Sequence, residues 1–312
     1  MSSYASDVKK ELTSLPVHPE HAKAELAAFL RMNGILSVHN RQFSLDITTE
    51  NPAIARRIFS LIKTAYGIEP LLIVSKKMKL KKNYQYLVRL QKMVNEILKD
   101  LEIIDEEQGF ITGVPEKIKN SDQRAMSYLR GAFLASGSIN NPETSRYHLE
   151  IYSLYEDHND DPLVLINSYF HLNAKKTKRR NGYIVYLKEA EKIGDFLHIV
   201  GAVNAMLNFE DLRIMRDMRN SVNRLVNCDT ANLKKTANAA AKQVEDIEVL
   251  EQAVGLDNLP EKLSILARFR LDNPELSLKE VAAQVPDGPI SKSGVNHRFQ
   301  KIHSMAEKIR NE

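Results

Sequence analysis

Hydrophobic positions along this chain keep two rhythms, and the order of those rhythms is repeated. Apolar residues alternate with polar ones from Phe43 to Thr48, as in a half-buried strand. After Asn51-Pro52 they recur every three or four residues as far as about Tyr66, as in an amphipathic helix. The same succession returns from Tyr147 to Ser153 and then from Asp161-Pro162 to about Leu172. Asn or Asp as N-cap, with proline at the first helical position, predicts a helix start in both copies. A basic hairpin follows each helix, with Lys76, Lys77, Lys79, Lys81 and Lys82 in the first copy and Lys175, Lys176, Lys178, Arg179 and Arg180 in the second. Each hairpin leads into a β-rich run, Tyr86 to Leu90 or Tyr183 to Leu187, and then a helix. Such internal repetition predicts a pseudo-two-fold α+β domain spanning residues 1–215. The hairpins would then share one face, with Lys and Arg gathered where acids are absent, suited to the phosphate ridges of a duplex. The bland alternative is a pair of solvated, charge-protected strand edges.

Each copy opens on a short motif, LAAFLRMNG from Leu26 to Gly34 and LRGAFLASG from Leu129 to Gly137. Both resemble the LAGLIDADG helix of homing endonucleases, in which paired helices pack on small residues and carry a metal-binding carboxylate just before the last glycine. That position holds Asn33 and Ser136 here. A magnesium-assisted phosphodiester cut needs hard anionic oxygens facing the scissile phosphate, and an amide and a hydroxyl do not supply them. Asp46 and Glu150, on the strands that follow, are the carboxylates that could substitute, although nothing in the sequence aims them at a helix end. No catalytic residue is therefore expected, and the resemblance implies a DNA-cleaving scaffold kept for another use.

The remainder of the chain has a different texture. Residues 216–254 contain no proline or glycine and read as a connector of one or two helices. Several Asn residues there, in Asn223-Arg224-Leu225-Val226-Asn227-Cys228-Asp229 and at Asn232, are poor helix formers and predict polar contacts or a break. Arg224, Lys234 and Lys235 are candidate contacts to a nucleic-acid backbone. Residues 255–312 read as three helices in quick succession: Leu259 to Asn273, a second opened by the capping box Ser277-Leu278-Lys279-Glu280, and a third from Ser291 to about Ile309. This is a helix-turn-helix arrangement. In the third helix Val295, Phe299, Ile302, Ala306 and Ile309 form the inward stripe, leaving Ser293, His297, Gln300, Lys301 and Ser304 outward. Ser293 and His297, with Asn296 at the margin, are the expected base-edge readers, because such a helix reads mainly with its first turns. Ser291 belongs to the same candidate DNA-binding set. Lys292, Arg298 and Lys301 suit phosphates.

Composition narrows the class. The 312 residues are 43% hydrophobic, enough for a sizeable core. A single cysteine, Cys228, excludes an internal disulfide framework and fits a reducing compartment. No apolar run approaches the roughly 18 residues a membrane-spanning helix needs, and the N-terminus has no apolar signal segment. A cytosolic protein without a membrane partner is expected. The net charge of +4 is too small to argue nucleic-acid binding unless it is clustered. Glu156-Asp157-His158-Asn159-Asp160-Asp161 lacks the glycine and final glutamate of a calcium loop and reads as helix capping. His18 and His21 have no Cys or carboxylate arrangement to complete a zinc site. With no glycine-rich phosphate loop present, neither a metal nor another cofactor is expected, nor a small-molecule substrate.

Taken together, the degenerate double LAGLIDADG pattern, the run NRLVNCDTANLKK and the C-terminal LSLKEVAAQVPDGPISKSGVNHRFQKI closely resemble the WhiA family of Gram-positive bacteria. The resemblance implies a non-enzymatic DNA-binding protein linked to cell division, chromosome segregation and, in sporulating relatives, developmental transcription. It also implies a helix-turn-helix similar to region 4 of sigma factors, association with the nucleoid, and double-stranded DNA as partner alongside proteins of transcription or division. A cleaving endonuclease and an RNA-binding scaffold are the readings it competes with.

Overall fold

In the computed structural model, which describes residues 3–39, 42–76, 84–105, 107 and 109–311, the repeat of sequence is a repeat of structure. The chain opens with α1 (Tyr4–Ser14), whose N-cap Ser3 accepts a hydrogen bond from the Ser6 amide. Copy one consists of α2 (Pro19–Asn33), β1 (Gly34–His39), β2 (Gln42–Thr49), α3 (Pro52–Tyr66), β3 (Leu71–Lys76) and β4 (Tyr84–Leu90). The short elements α4 (Val94–Asp100), β5 (Ile104–Asp105), β6 (Gly109–Phe110) and α5 (Glu116–Lys119) lead to copy two. There α6 (Asp122–Ser136), β7 (Gly137–Ile139), β8 (Leu149–Ser153), α7 (Glu156–Val164), β9 (Lys175–Arg179) and β10 (Gly182–Leu187) repeat the order, and α8 (Ala190–Val200) follows.

Each copy makes a four-stranded antiparallel sheet, ordered β1-β2-β4-β3 in one and β7-β8-β10-β9 in the other. The period-two pattern decides which face turns inward. Leu45 pairs with Leu90 and Ile47 with Val88 in copy one; Leu149 pairs with Leu187 and Ile151 with Val185 in copy two, all buried. β1 and β7, which begin on the motif glycines themselves, were not expected from the sequence. β7 has three residues, too few to show an alternation.

The helices α2 and α6 pack on small residues, burying Ala24, Ala27 and Ala28 of one and Gly131 and Ala132 of the other. A Cβ added at Gly131 would lie 2.4 Å from the Glu25 carbonyl oxygen and 3.0 Å from the Ala28 Cβ, so only glycine allows this approach. The flanking polar groups are buried and paired. Glu25 takes two hydrogen bonds of 2.8 Å from Arg57 of α3, and Arg130 of α6 reaches the same carboxylate at 3.5 Å. Reciprocally, Arg31 of α2 reaches Asp161 of α7 at 3.4 Å, and the Tyr128 hydroxyl donates to Asp161 at 2.9 Å.

Asp161-Pro162 therefore does not cap a helix start, as the sequence suggested. α7 begins six residues earlier, at Glu156, and encloses Pro162. The acids Glu156 and Asp157 sit in its first turn, where the helix dipole favours them, while Asp161 is turned into the core. Beyond the proline the backbone widens into a π-helical turn, Leu165–Tyr169, one of the ways a helix accommodates a missing amide donor.

The molecule divides into two compact units, residues 1–216 and 217–312. The 51-residue helix α9 (Val203–Ala253) belongs to both. It runs unbroken through the Asn-rich stretch, so of the two alternatives the sequence offered there, polar contacts or a break, the break does not occur. Its last turns are not a free connector, since Ile247 and Leu250 are fully buried in the second unit's core. That core is completed by a 3₁₀ turn, Leu256–Asn258, and by α10 (Glu261–Asp272), α11 (Leu278–Gln284) and α12 (Lys292–Arg310). The capping box forms as the sequence predicted, with Ser277 N donating to Glu280 Oε2 at 2.8 Å and Glu280 N donating to Ser277 Oγ at 3.4 Å.

Two measurements probe this seam. Gly131→Ala should lower stability by about 1–3 kcal/mol in urea denaturation, the cost of forcing packed backbones apart; an unchanged midpoint would contradict the close approach. Burial pushes Asp161 up to about 6, above the ordinary 3.8, against the pull of Arg31. A folded value above the unfolded one makes this group's contribution complete below about pH 4 and lost as pH rises through 6. Relative to the wild type, Asp161→Asn should therefore remove a fall in stability between those values.

Candidate nucleic-acid interface

α12 begins with Ser291 as N-cap, whose Oγ accepts from the Gly294 amide at 3.1 Å. The Ser291 oxygen is thus engaged as the cap acceptor, and its hydroxyl proton is left to donate. Val295, Phe299, Ile302 and Ala306 are buried as the periodicity predicted, which fixes the helix's rotation. Lys292, Ser293, Asn296, His297 and Lys301 are exposed and have no side-chain hydrogen bond or ion pair among the described residues. Arg298 differs. It bridges to Asp287 in the preceding turn at 2.6 Å, with both side chains largely buried, so it braces the turn against α12 instead of standing free for a phosphate. Asp287 lies eleven positions away in a loop, and no helical spacing could have linked the two. Asp246 of α9 adds a second brace, accepting from Arg310 and contacting the His303 ring, both at 2.7 Å.

On α9, residues 217–235 are exposed throughout. Arg224 donates to Ser221 Oγ at 3.2 Å, and Lys234 and Lys235 have no ion-pair partner among the described residues. The same stretch exposes Met218, Val222, Leu225, Val226 and Leu233.

The hairpin of copy two forms as expected, yet its charges are not free of acids. Lys176 bonds Asp160 at 2.6 Å and Glu156 at 2.8 Å, pairs that raise the lysine's pKa and lower that of Glu156. Arg179 pairs with Glu150 at 2.8 Å. The pleat splits the row, with Lys176 and Lys178 on one side of β9 and Lys175 and Arg179 on the other. Lys175, Lys178 and Arg180 remain exposed and without a carboxylate partner among the described residues. In copy one Lys76 is exposed at the end of β3; Lys77, Lys79, Lys81 and Lys82 lie outside the described residues.

At the C-terminal ends of α2 and α6 the two positions that depart from the endonuclease motif are used within the protein. Asn33 Nδ2 donates to the Ala135 carbonyl at 3.1 Å, tying one helix end to the other, and Ser136 Oγ donates back to Ala132 O at 3.5 Å. Asp46 is held by Arg89 through bonds of 2.8 and 2.7 Å, and Glu150 by Arg179 and by His148 at 2.8 Å. Among the described residues, the group of three ligating side chains close enough to share an ion is His18, Glu20 and His21, within 4.8 Å of one another. Glu20 supplies the carboxylate that the sequence reading did not see. This cluster lies at the opposite end of α2 from Asn33, and His18 already accepts from the Glu20 amide at 3.3 Å.

Three family models match in succession: the WhiA N-terminal LAGLIDADG-like domain over residues 19–104, the WhiA LAGLIDADG-like domain over 125–219, and the WhiA C-terminal HTH domain over 222–306. The chain belongs to the WhiA family. Among WhiA relatives, "Probable cell division protein WhiA" of Lactobacillus gasseri is 86% identical over 312 residues, covering all of both chains. The protein of that name from Lactobacillus acidophilus is 77% identical, covering 99% of this chain and all of its own. The crystal structure of full-length DUF199/WhiA from Thermatoga maritima superimposes with a TM-score of 0.58 at 27% identity, covering 98% of each chain. The degenerate LAGLIDADG-like unit and the helix-turn-helix unit are thus those of WhiA proteins. Among the described residues, no helix is long and apolar enough to cross a membrane.

The brace at Arg298 yields a separable outcome. Arg298→Ala should lower the stability of the second unit by about 1 kcal/mol, the scale of a well-formed but not fully buried ion pair. Asp287→Ala should produce a similar loss in thermal denaturation, and the double substitution little more than either one, as expected for partners in one interaction.

Proposed function

We propose that the chain is a DNA-binding regulator, acting in cell division and chromosome segregation, that occupies double-stranded DNA without cutting it. The observation that carries this reading is the outward face of α12. A braced, capped helix presents Lys292, Ser293, Asn296, His297 and Lys301 with no side-chain partner among the described residues. Ser293, Asn296 and His297 lie in its first turns and can donate to or accept from base edges in a major groove; Lys292 and Lys301 supply charge for flanking phosphates. The relatives' name associates them with cell division, and the proposal carries that association to this chain.

The repeat unit supports a non-cleaving role. Asn33 and Ser136 are engaged in helix-end hydrogen bonds, and the nearby carboxylates Asp46 and Glu150 are neutralised by Arg89 and Arg179. Among the described residues, an Mg²⁺ ion would meet no free carboxylate pair at those two positions. Lys175, Lys178, Arg180 and Lys76 leave this unit able to touch a DNA backbone, and its other surfaces can dock proteins of transcription or division in the cytoplasm, at the nucleoid.

The test is a gel titration of the full chain against fragments of its source genome, with Mg²⁺ and excess nonspecific duplex. Selective retention of intact fragments is expected, and cut fragments would overturn the reading. On the retained fragment, Lys301→Ala should weaken binding to all duplexes alike and reduce the salt slope by about 0.9. His297→Ala should instead level the preference among sequences; an equal loss on every sequence would remove it from the base-reading set.

A further inference from the structure

Beside the face of α12, the second unit holds a groove of about 330 Å³, formed by α9, α10, the start of α11 with the link before it, and the first residue of α12. Lys235, Lys279, Lys292 and Arg270 line it, together with the hydroxyl residues Thr236 and Ser277. No carboxylate is among its lining residues. The acid next in sequence, Glu280, is occupied by the capping box, where it accepts from the Ser277 amide. Lys235, Lys279 and Lys292 have no ion-pair partner among the described residues.

Arg270 is the unusual member. Its residue is 1% exposed, yet no carboxylate stands within ion-pair distance among the described residues. Its Nη1 donates to the Asn273 and Leu276 carbonyls at 3.3 and 2.6 Å, and the guanidinium sits 5.4 Å from the centre of the Phe299 ring. Among the described residues Nε has no partner, and Gln243, also lining the groove, has an unpartnered Oε1. Burial lowers the arginine's pKa, only partly offset by Glu275. Bracing the turn between α10 and α11 explains Nη1. It does not explain why a buried cation lacks a counter-charge, or why three lysines gather around it, since buried charge is stable chiefly when paired.

We propose that this groove seats a phosphate of the DNA backbone beside the base-reading turns of α12, so that α9, through Lys235, forms part of the DNA interface. The inference rests on the DNA-binding reading above. Its geometry follows from Lys292, which lines the groove and immediately precedes Ser293 at the start of the reading helix. A helix that enters a major groove by its N-terminal turns has strand backbone passing beside those turns, and contacts there set register without reading sequence. The anion supplies the charge that Arg270 lacks, and the lysines hold it at the rim.

The experiment compares the full chain with Lys235→Ala/Lys279→Ala, with the charge-retaining Lys235→Arg/Lys279→Arg, and with Lys308→Ala at the far end of α12 as control. Affinity is measured against salt on a retained fragment and on an unrelated duplex. The alanine pair should lose affinity equally on both and reduce the magnitude of the salt slope by about 1.8, roughly 0.9 per lost phosphate contact. The arginine pair and Lys308→Ala should keep the wild-type slope. An unchanged slope in the alanine pair, beside a steep wild-type slope, would overturn the groove and leave the DNA reading standing. A wild type that binds no duplex in a salt-dependent way would fail the DNA reading itself. In parallel, thermal unfolding is followed with inorganic pyrophosphate. A shift in wild type that the alanine pair abolishes, with the DNA slope unchanged, would assign the groove to small soluble phosphates and overturn the DNA-backbone proposal.

Discussion

Two helices close enough for Gly131 to meet the carbonyl of Glu25 bury the charged groups along their seam, and most of the polar atoms there find partners inside the protein, Arg31 Nε being an exception. The pairing is reciprocal. Arg130 of α6 crosses to the Glu25–Arg57 pair of copy one, and Arg31 of α2 crosses to the Tyr128–Asp161 pair of copy two. Each copy is held by a charge from the other, as well as by Phe29 and Phe133, both fully buried. The placement of both sheets follows from this seam, since β1 and β7 leave directly from the ends of α2 and α6. Such buried pairs add little net stability over apolar residues of the same shape, but removing one partner leaves an uncompensated charge, which makes the arrangement specific.

The same criterion, whether a polar group is already partnered, separates the two units chemically. At the ends of α2 and α6 the amide, the hydroxyl and the nearby acids are consumed by internal contacts. On the outward face of α12 and around the groove of the second unit, several polar and cationic groups stand without partners among the described residues, and one arginine is buried without a counter-charge there.

Much of this was legible from residue order. The inward stripe of α12 and the Ser277 capping box rest on spacings of three and four, and the structure reproduces them. The repeat of strand, helix and hairpin survived because β2 and β8 are long enough to alternate. What the sequence concealed depends on distant partners. Asp161-Pro162 has the form of a helix start, but Arg31 and Tyr128, more than thirty residues away in the chain, draw Asp161 inward and the helix begins earlier. Arg298 resembles a free phosphate ligand until Asp287 is placed beside it. Of the polar contacts or break that the asparagines of α9 suggest, the 51-residue helix makes no break, because propensity is a weak prior over single positions.

Because both copies lie on one chain, a substitution changes only one of them. A symmetric homodimer would receive every change twice, at both halves of the seam at once. Here Glu25 is matched by Arg57 while its counterpart Tyr128 is matched by Asp161, the two partners standing at the sixth position of α3 and of α7. The motif carboxylate, likewise, is replaced by Asn33 in one copy and Ser136 in the other. Covalent duplication has freed the halves to drift apart in sequence while the axis between them is kept.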